Sequence, residues 1–176
     1  DPRAVREAHG GGLPAFLLLH GTGECGTDNW RQTRSGLAGG LLASRGWAEW
    51  FPGLLVMPQL PRRPWDQRWW EHWRAPAMQE MAIACLDCAV ARHGGDRGRL
   101  YLLGESLGTD GAWHLAAKRP GLFAAVAGSC GCVERFDWAG GEWEASPESF
   151  PRLADSVGRG TPPWFCPGRE DNFVPV

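Results

Sequence analysis

The sequence has no long hydrophobic run and no strong excess of either charge. No apolar stretch approaches the roughly 18 residues that a membrane span requires, and residues 1–7 contain neither an initiator methionine nor the apolar segment of a signal peptide. We therefore expect a soluble chain without a membrane span, whose first residue need not be the natural start. The net charge of −2 gives no general attraction to nucleic acid or to anionic membranes, so it indicates no macromolecular partner.

Cysteine is also too sparse for a disulfide framework. Six cysteines in a 176-residue chain that is 43% apolar do not fit the small secreted class whose fold depends on disulfides. Cys85 and Cys88, taken with Cys130 and Cys132, superficially resemble a zinc site, but the first two continue the core-facing apolar stripe of a predicted helix. We therefore expect no metal and no organic cofactor. The cellular compartment and the oligomeric state stay undecided.

Short apolar segments alternate with helical patterns along the chain. Continuous apolar runs predict buried strands at 15–19, 54–57, 100–103, 122–127 and 164–166. Apolar residues at three- and four-residue steps predict a helix at about 75–92. Less regular patterns predict two more helices, at about 29–45 and 110–118. This alternation is typical of α/β domains, so we predict one domain over residues 1–176 with a mostly parallel sheet and helices on both faces.

Two segments follow neither period. Residues 61–73 are crowded with tryptophan and are interpreted as an ordered aromatic surface loop. Its indoles, including Trp69, Trp70 and Trp73, either line a substrate pocket or roof the core. Residues 133–161 are acidic and contain Gly, Ser and Pro, which indicates a connecting or lid-like insertion.

Residues 104–108, Gly-Glu-Ser-Leu-Gly, lie between a predicted strand and a predicted helix. In that context Gly-x-Ser-x-Gly is the nucleophile elbow of the α/β-hydrolase fold, in which a sharp turn strains the serine and glycines avoid collisions with neighbouring backbone. The following helix directs its N-terminus at the serine and favours negative charge there. We predict that Ser106 is the nucleophile and that the Leu107 N–H is an oxyanion donor. A glycine-rich turn that merely contains a serine is the alternative.

A second glycine-rich loop, residues 20–23, follows the first predicted strand. Acyl transfer in this architecture takes a second N–H donor from such a loop, and we assign the N–H of Thr22. Residues 17–29, Leu-Leu-Leu-His-Gly-Thr-Gly-Glu-Cys-Gly-Thr-Asp-Asn, resemble the loop of the carboxylesterase and predicted-peptidase branch of the α/β-hydrolases, relatives of dienelactone-hydrolase and feruloyl-esterase-like enzymes. The resemblance continues in separate blocks to residues 168–175.

The resemblance implies that His20 shapes the oxyanion loop and is not the catalytic base. It also implies a fold that is incomplete at both ends of this sequence, with a helix, a strand and a histidine-bearing loop beyond Val176. The chain departs from the family at Thr109 and Asp110, where relatives commonly have Gly and an aromatic residue, and at Pro167, where they have His. Asp110 is expected to bring a carboxylate near the oxyanion site and to weaken turnover.

The acid of the catalytic triad should follow the nucleophile in sequence and lie after a strand. Asp171 follows the last predicted strand and is predicted to orient and stabilise an imidazole, with Glu170 as the alternative. Of the histidines present, His114 lies about 12 Å along its helix from the nucleophile and cannot reach it. His72, in the aromatic loop, is the one candidate substitute, because His9 and His93 lie toward the other edge of the sheet.

These predictions together indicate a serine hydrolase that cleaves a small-molecule carboxylic ester through an acyl-enzyme intermediate. Two alternatives stay open. The same machinery cleaves amides, so the protein could be a peptidase, or the fold could serve as a catalytically inactive binding protein.

Overall fold

The computed structural model describes residues 11–47, 51, 53–61, 73–131, 135–137, 142–144, 154–155 and 160–166. The strands are β1 (Leu13–Leu19), β2 (Leu54–Val56), β3 (Gly95–Glu105), β4 (Ala125–Ser129), β5 (Arg135–Asp137), β6 (Glu142–Glu144) and β7 (Pro163–Cys166). The helices are α1 (Gly36–Ala43), α2 (Pro76–His93) and α3 (Leu107–Lys118), with 3₁₀ turns at Thr22–Glu24 and Arg31–Thr33. No helix in these ranges is both long enough and apolar enough to cross a membrane.

In the described part of the chain, five strands form a parallel sheet in the order β2-β1-β3-β4-β7. Leu17 of β1 pairs with Val56 on one side and with Leu102 on the other, and Leu102 in turn pairs with Val126 of β4. Strands β5 and β6 form a separate antiparallel pair. The predicted parallel sheet with interleaved helices is confirmed.

The centre of the sheet is the most apolar part of the sequence. Leu17, Leu19 and Leu102 are completely buried, and α2 and α3 both pack on the strands that carry them. Burial of each leucine stabilises the fold by about 1.5–3 kcal/mol. By contrast, β7 lies at the edge of the described sheet, where Trp164 is 70% exposed.

Helix α2 begins and ends as its sequence directs. Pro76 occupies the first turn, where a missing N–H costs nothing, and Gly94 ends the helix in the left-handed conformation at φ 69°. The prediction that Cys85 and Cys88 face the core was wrong, because the buried row of the helix is the neighbouring one. Cys85 is half-buried and Cys88 is exposed, while the neighbouring row of Gln79, Ala82, Leu86 and Val90 faces the core.

A buried glutamine explains part of this error. Gln79 is 3% exposed, and its Oε1 accepts a hydrogen bond of 3.0 Å from Lys118 Nζ of α3. A polar residue in this position of the stripe is tolerated because the neighbouring helix supplies a charged donor. That contact joins residues 39 apart in sequence, so no helical period could reveal it.

Several further segments differ from their predicted bounds, among them β3, which begins at Gly95 and not at the predicted 100. The predicted helix over 29–45 is a 3₁₀ turn followed by the shorter α1, because Gly36 adopts a φ of 60° at the junction. Strand β4 starts three residues later than the predicted 122. Within 133–161 the structure describes β5 and β6, and the lid-like role of that segment stays a prediction.

Candidate active site

The carboxyl ends of the parallel strands meet at one edge of the sheet. Strand β1 ends directly before His20, β3 ends directly before Ser106, and β4 ends at Ser129. Open α/β sheets bind ligands at this edge. The structure therefore places the predicted serine and the glycine-rich loop after β1 side by side.

Ser106 occupies a strained backbone conformation between β3 and α3. Its φ of 52° and ψ of −118° lie in a region that favours glycine. Its N–H donates to the carbonyl oxygen of Ser129 at 2.9 Å, and its own carbonyl oxygen accepts the N–H of Thr109 at 2.9 Å. The residue is exposed at the sheet edge. The surrounding backbone thus fixes the turn while leaving the serine accessible.

The two glycines of the motif are required by close backbone packing. A Cβ on Gly104 would lie 2.5 Å from the carbonyl oxygen of Gly108. A Cβ on Gly108 would overlap the carbonyl oxygen of Leu19 at the end of β1. The serine-bearing turn can approach β1 this closely only because side chains are absent at these two positions.

The loop after β1 lies against the serine. A Cβ on Gly21 would be 3.3 Å from Ser106 Cβ, and Thr22 follows as the first residue of a 3₁₀ turn. Leu107 is the first residue of α3, where helical N–H groups have no partner within the helix. Across the described residues, no acceptor contacts the N–H of Thr22 or of Leu107. Both N–H groups are therefore unpaired among the described residues. Leu107 directly follows Ser106 in sequence, and Thr22 directly follows Gly21, which lies against Ser106.

His20 uses both ring nitrogens to hold this loop. It is 3% exposed; its Nδ1–H donates to the carbonyl oxygen of Gly21 at 2.6 Å, and its Nε2 accepts the N–H of Leu60 at 3.0 Å. These partners require a neutral ring with the proton on Nδ1. Burial lowers the pKa of His20, although Gly21 and Glu24 oppose the shift. The contacts are those of a loop-shaping residue, because neither nitrogen is available to accept a proton from Ser106.

Asp110 is paired with a cation that the sequence-based expectation did not include, and its effect on turnover stays a prediction. Its carboxylate accepts a hydrogen bond from Arg74 Nε at 2.7 Å and a second, shorter one from Arg74 Nη2. Both side chains are largely buried. Burial raises the pKa of Asp110, and the Arg74 guanidinium acts in the opposite direction. Sequence patterns missed Arg74, which directly follows the aromatic loop.

Several solved structures are similar to this chain in fold, whereas no family model and no curated protein matches the sequence. A thermostable esterase is 23% identical with a TM-score of 0.66, over 94% of this chain and 41% of its own. FphF, a fluorophosphonate-binding serine hydrolase of Staphylococcus aureus with substrate bound, is 14% identical with a TM-score of 0.63, over 91% of this chain and 66% of its own. The chain thus spans less than two thirds of either protein.

The fold is that of the α/β-hydrolases. This agrees with the fold class predicted from the sequence. In this fold the turn at Ser106 joins the end of the central strand β3 to the start of the buried helix α3.

Several predicted residues of the α/β-hydrolase site lie outside the described residues. These are Asp171 and its alternative Glu170, the pocket residues Trp69 and Trp70, and the histidines His9 and His72. Trp73 is described, and it is completely buried with its Nε1–H donating to the carbonyl oxygen of His20 at 2.9 Å. For this tryptophan the core-roofing interpretation holds.

Of the four cysteines that superficially resemble a zinc site, Cys132 lies outside the described residues. Among those described, no cluster of three His, Cys, Asp or Glu side chains is arranged to hold a metal ion. Cys85 lies on α2, whereas Cys130 follows β4 at the carboxyl edge of the sheet.

Gln59 is a further residue whose role sequence patterns missed. Its Nε2 donates to the carbonyl oxygen of Glu24 at 3.0 Å and to Asp28 Oδ1 at 2.9 Å, while its Oε1 accepts the N–H of Asn29 at 2.7 Å. The bond from Gln59, followed by two backbone N–H donors, lowers the pKa of Asp28 to about 2. Its sequence signals were its position just after β2, at the same edge of the sheet, and its place in residues 56–59, one of the blocks that resemble the carboxylesterase branch. Gln59 thus ties the loop after β1, at Glu24, Asp28 and Asn29, to the segment after β2.

Thr109, the second departure from the family pattern, is fitted into the elbow. Its hydroxyl donates to the carbonyl oxygen of Ser129 at 2.8 Å and accepts the Ser129 N–H at 3.1 Å. A Cβ on Gly128 or Gly131 would collide with the Thr109 side chain. Glycines on the neighbouring strand and loop therefore accommodate the larger residue.

Proposed function

We propose that this chain carries the nucleophile and the oxyanion hole of a serine hydrolase that cleaves small-molecule carboxylic esters. One observation carries the proposal. Ser106 is an exposed, non-glycine residue with φ 52° and ψ −118°, held between a buried strand and the N-terminus of a buried helix. Such strain persists only where the surroundings impose it, and it is concentrated at active sites.

The proposed reaction begins with attack of Ser106 Oγ on the ester carbonyl carbon, while its proton passes to a histidine imidazole. The carbonyl oxygen becomes an oxyanion that accepts hydrogen bonds from the N–H groups of Thr22 and Leu107. The ester C–O bond then breaks, and the alcohol leaves with the proton held by the imidazole. Water attacks the acyl-enzyme in the same way, which releases the carboxylic acid and restores the serine.

The remaining parts of the machinery follow from the sequence. Asp171 is proposed to orient the imidazole and to stabilise its protonated form. Trp69 and Trp70 are proposed to contact the acyl or aromatic group of the substrate, since an indole offers an apolar face with one polar N–H. His20 is not proposed as the base, because Leu60 and Gly21 engage both of its ring nitrogens.

Labelling with a fluorophosphonate tests the proposal. In the full-length natural protein, Ser106 Oγ is expected to bond to phosphorus with loss of fluoride, so the intact mass should rise by one probe adduct. Ser106→Ala should abolish labelling, while Ser44→Ala, which alters an exposed serine at the end of α1, should leave it unchanged. Failure of the wild-type protein to label, while folded, would favour the inactive binding protein.

A comparison of substrates on the same protein distinguishes ester hydrolysis from amide hydrolysis. We expect kcat/KM for a p-nitrophenyl ester to exceed that for the matching p-nitroanilide, because the alcohol is the better leaving group. A larger value for small peptides than for esters would favour the peptidase alternative.

A further inference from the structure

We propose that Arg74 is a positioning residue that neutralises Asp110 and thereby keeps the N-terminus of α3 able to stabilise an oxyanion. This inference rests on the proposed function. It concerns a pair of residues 36 apart in sequence, one on the elbow helix and one just after the aromatic loop.

The pair is well formed and shielded from solvent. Two Arg74 nitrogens, Nε and Nη2, donate to the two oxygens of the Asp110 carboxylate, the bidentate geometry that makes such pairs strong. The side chains are 17% and 10% exposed, so solvent screens the interaction little. Among the residues that the structure describes, the other titratable group that faces Asp110 is His114, whose Nε2 is 3.8 Å from Oδ1. Arg74 is thus the permanent positive charge in contact with this carboxylate.

Asp110 lies in the first turn of the helix that begins at Leu107. Its Cα is about 4.5 Å further along the helix axis than that of Leu107. A negative side chain in the first turn interacts favourably with the helix dipole. Without Arg74, that interaction would compete with an oxyanion at Ser106, because both place negative charge at the same helix end.

Arg74 is held in place by the residue before it. The indole of Trp73 is completely buried and donates to the carbonyl oxygen of His20, at the start of the oxyanion loop. On the α3 side, a Cβ on Gly111 would overlap Trp73 Cβ, so the two backbones approach closely. Trp73 therefore contacts His20 on one side of the proposed oxyanion site and Gly111 of α3 on the other. Arg74 acts on the same site through its ion pair with Asp110.

Charge variants test this role in the full-length natural protein. Arg74→Met removes the cation, Arg74→Lys keeps it without the bidentate geometry, and the double variant Arg74→Met with Asp110→Asn removes both charges. Arg97→Met is the matched control, because it removes an exposed pair with Asp87 outside the site. The readouts are the rate of fluorophosphonate labelling at Ser106, kcat and KM for a p-nitrophenyl ester, and the melting temperature.

Arg74→Met is expected to lower kcat and the labelling rate about tenfold with little change in KM. The reason is that the negative charge of Asp110, no longer neutralised, would oppose the negative charge of the oxyanion. Arg74→Lys and the double variant are expected to stay within about threefold of the wild type. A double variant as slow as Arg74→Met would overturn the proposal, because a purely structural tie is not restored by removing the second charge. A lysine variant as slow as the methionine variant would do the same.

Three further outcomes keep the test decisive. If Arg74→Met does not fold, Asp110→Asn carries the comparison: it should label at least as fast as the wild type, and a tenfold slower rate contradicts the proposal. Wild-type protein that is folded but unlabelled removes the proposed function and this inference with it. Equal labelling of wild type and Arg74→Met removes this inference alone.

Discussion

The two edges of the sheet are built in different ways. At the carboxyl edge, Ser106, Gly108 and His20 are fixed by backbone contacts that leave no room for a larger group or for a second proton. At the other edge, contacts such as that of Arg97 with Asp87 join side chains that are 61% and 47% exposed. Backbone packing fixes positions closely, whereas exposed ion pairs contribute little free energy. We therefore expect large effects from changes at these backbone-packed positions of the carboxyl edge and small effects from changes at exposed ion pairs such as Arg97 with Asp87.

The largest effect is expected for Gly108→Ala. The added Cβ would overlap the carbonyl oxygen of Leu19, and both groups belong to backbone that cannot move without disturbing β1. We expect a loss of about 3–5 kcal/mol in the free energy of unfolding, measured by urea denaturation. Gly40→Ala is the control: nothing lies within 4 Å of its added Cβ in α1, so it should stabilise by up to about 1 kcal/mol. Equal effects of the two changes would show that the backbone collision at Gly108 does not set the cost.

His20 makes the stability of the carboxyl edge depend on pH. Its pKa is lowered in the folded protein, so below about pH 6.5 the unfolded chain binds a proton that the folded chain refuses. Stability is therefore full above pH 6.5 and falls as pH decreases, by up to about 1.4 kcal/mol per pH unit. Urea titrations between pH 5 and 8 should show this slope in the wild type and a smaller one in His20→Gln. An unchanged slope in the variant would show that another group is responsible.

Thr109→Val tests the hydroxyl that joins the elbow to β4. The variant keeps the shape but loses two hydrogen bonds to the Ser129 backbone. We expect a destabilisation of about 1–3 kcal/mol, because the part-buried N–H and carbonyl oxygen of Ser129 each lose a hydrogen bond, although the carbonyl keeps that from the Ser106 N–H. Thr109→Ser keeps the hydroxyl and should recover part of that loss in thermal unfolding.

The smallest effect is expected for Arg97→Met at the opposite edge. Its pair with Asp87 is exposed on both sides, so removal should change the free energy of unfolding by less than about 1 kcal/mol. Chemical denaturation at low and high salt checks this, since any contribution should shrink as salt screens it. A loss as large as that of Thr109→Val would mean that this edge is as constrained as the other.

The sequence predicted the strands and helices that have a regular apolar pattern, and the turn whose close packing requires glycine. Apolar runs and the strand-turn-helix context of Ser106 are local properties, and the collisions at Gly104 and Gly108 explain why that motif has its spacing. The pairing of Arg74 with Asp110 could not be predicted, because it joins an aperiodic segment to a helix. The register of α2 was missed because Gln79 is buried through a partner on another helix, and three- and four-residue steps fit either of two adjacent rows.

The backbone of Ser106 also has an evolutionary consequence. A residue held at φ 52° and ψ −118° costs of order 1–3 kcal/mol relative to a relaxed conformation, and glycine adopts this region without that penalty. A mutation from serine to glycine would therefore meet no opposition from protein stability. The proposed nucleophilic role would supply the selection that keeps serine at this position, and descendants released from that role would be free to drift toward a more stable scaffold without a reactive hydroxyl.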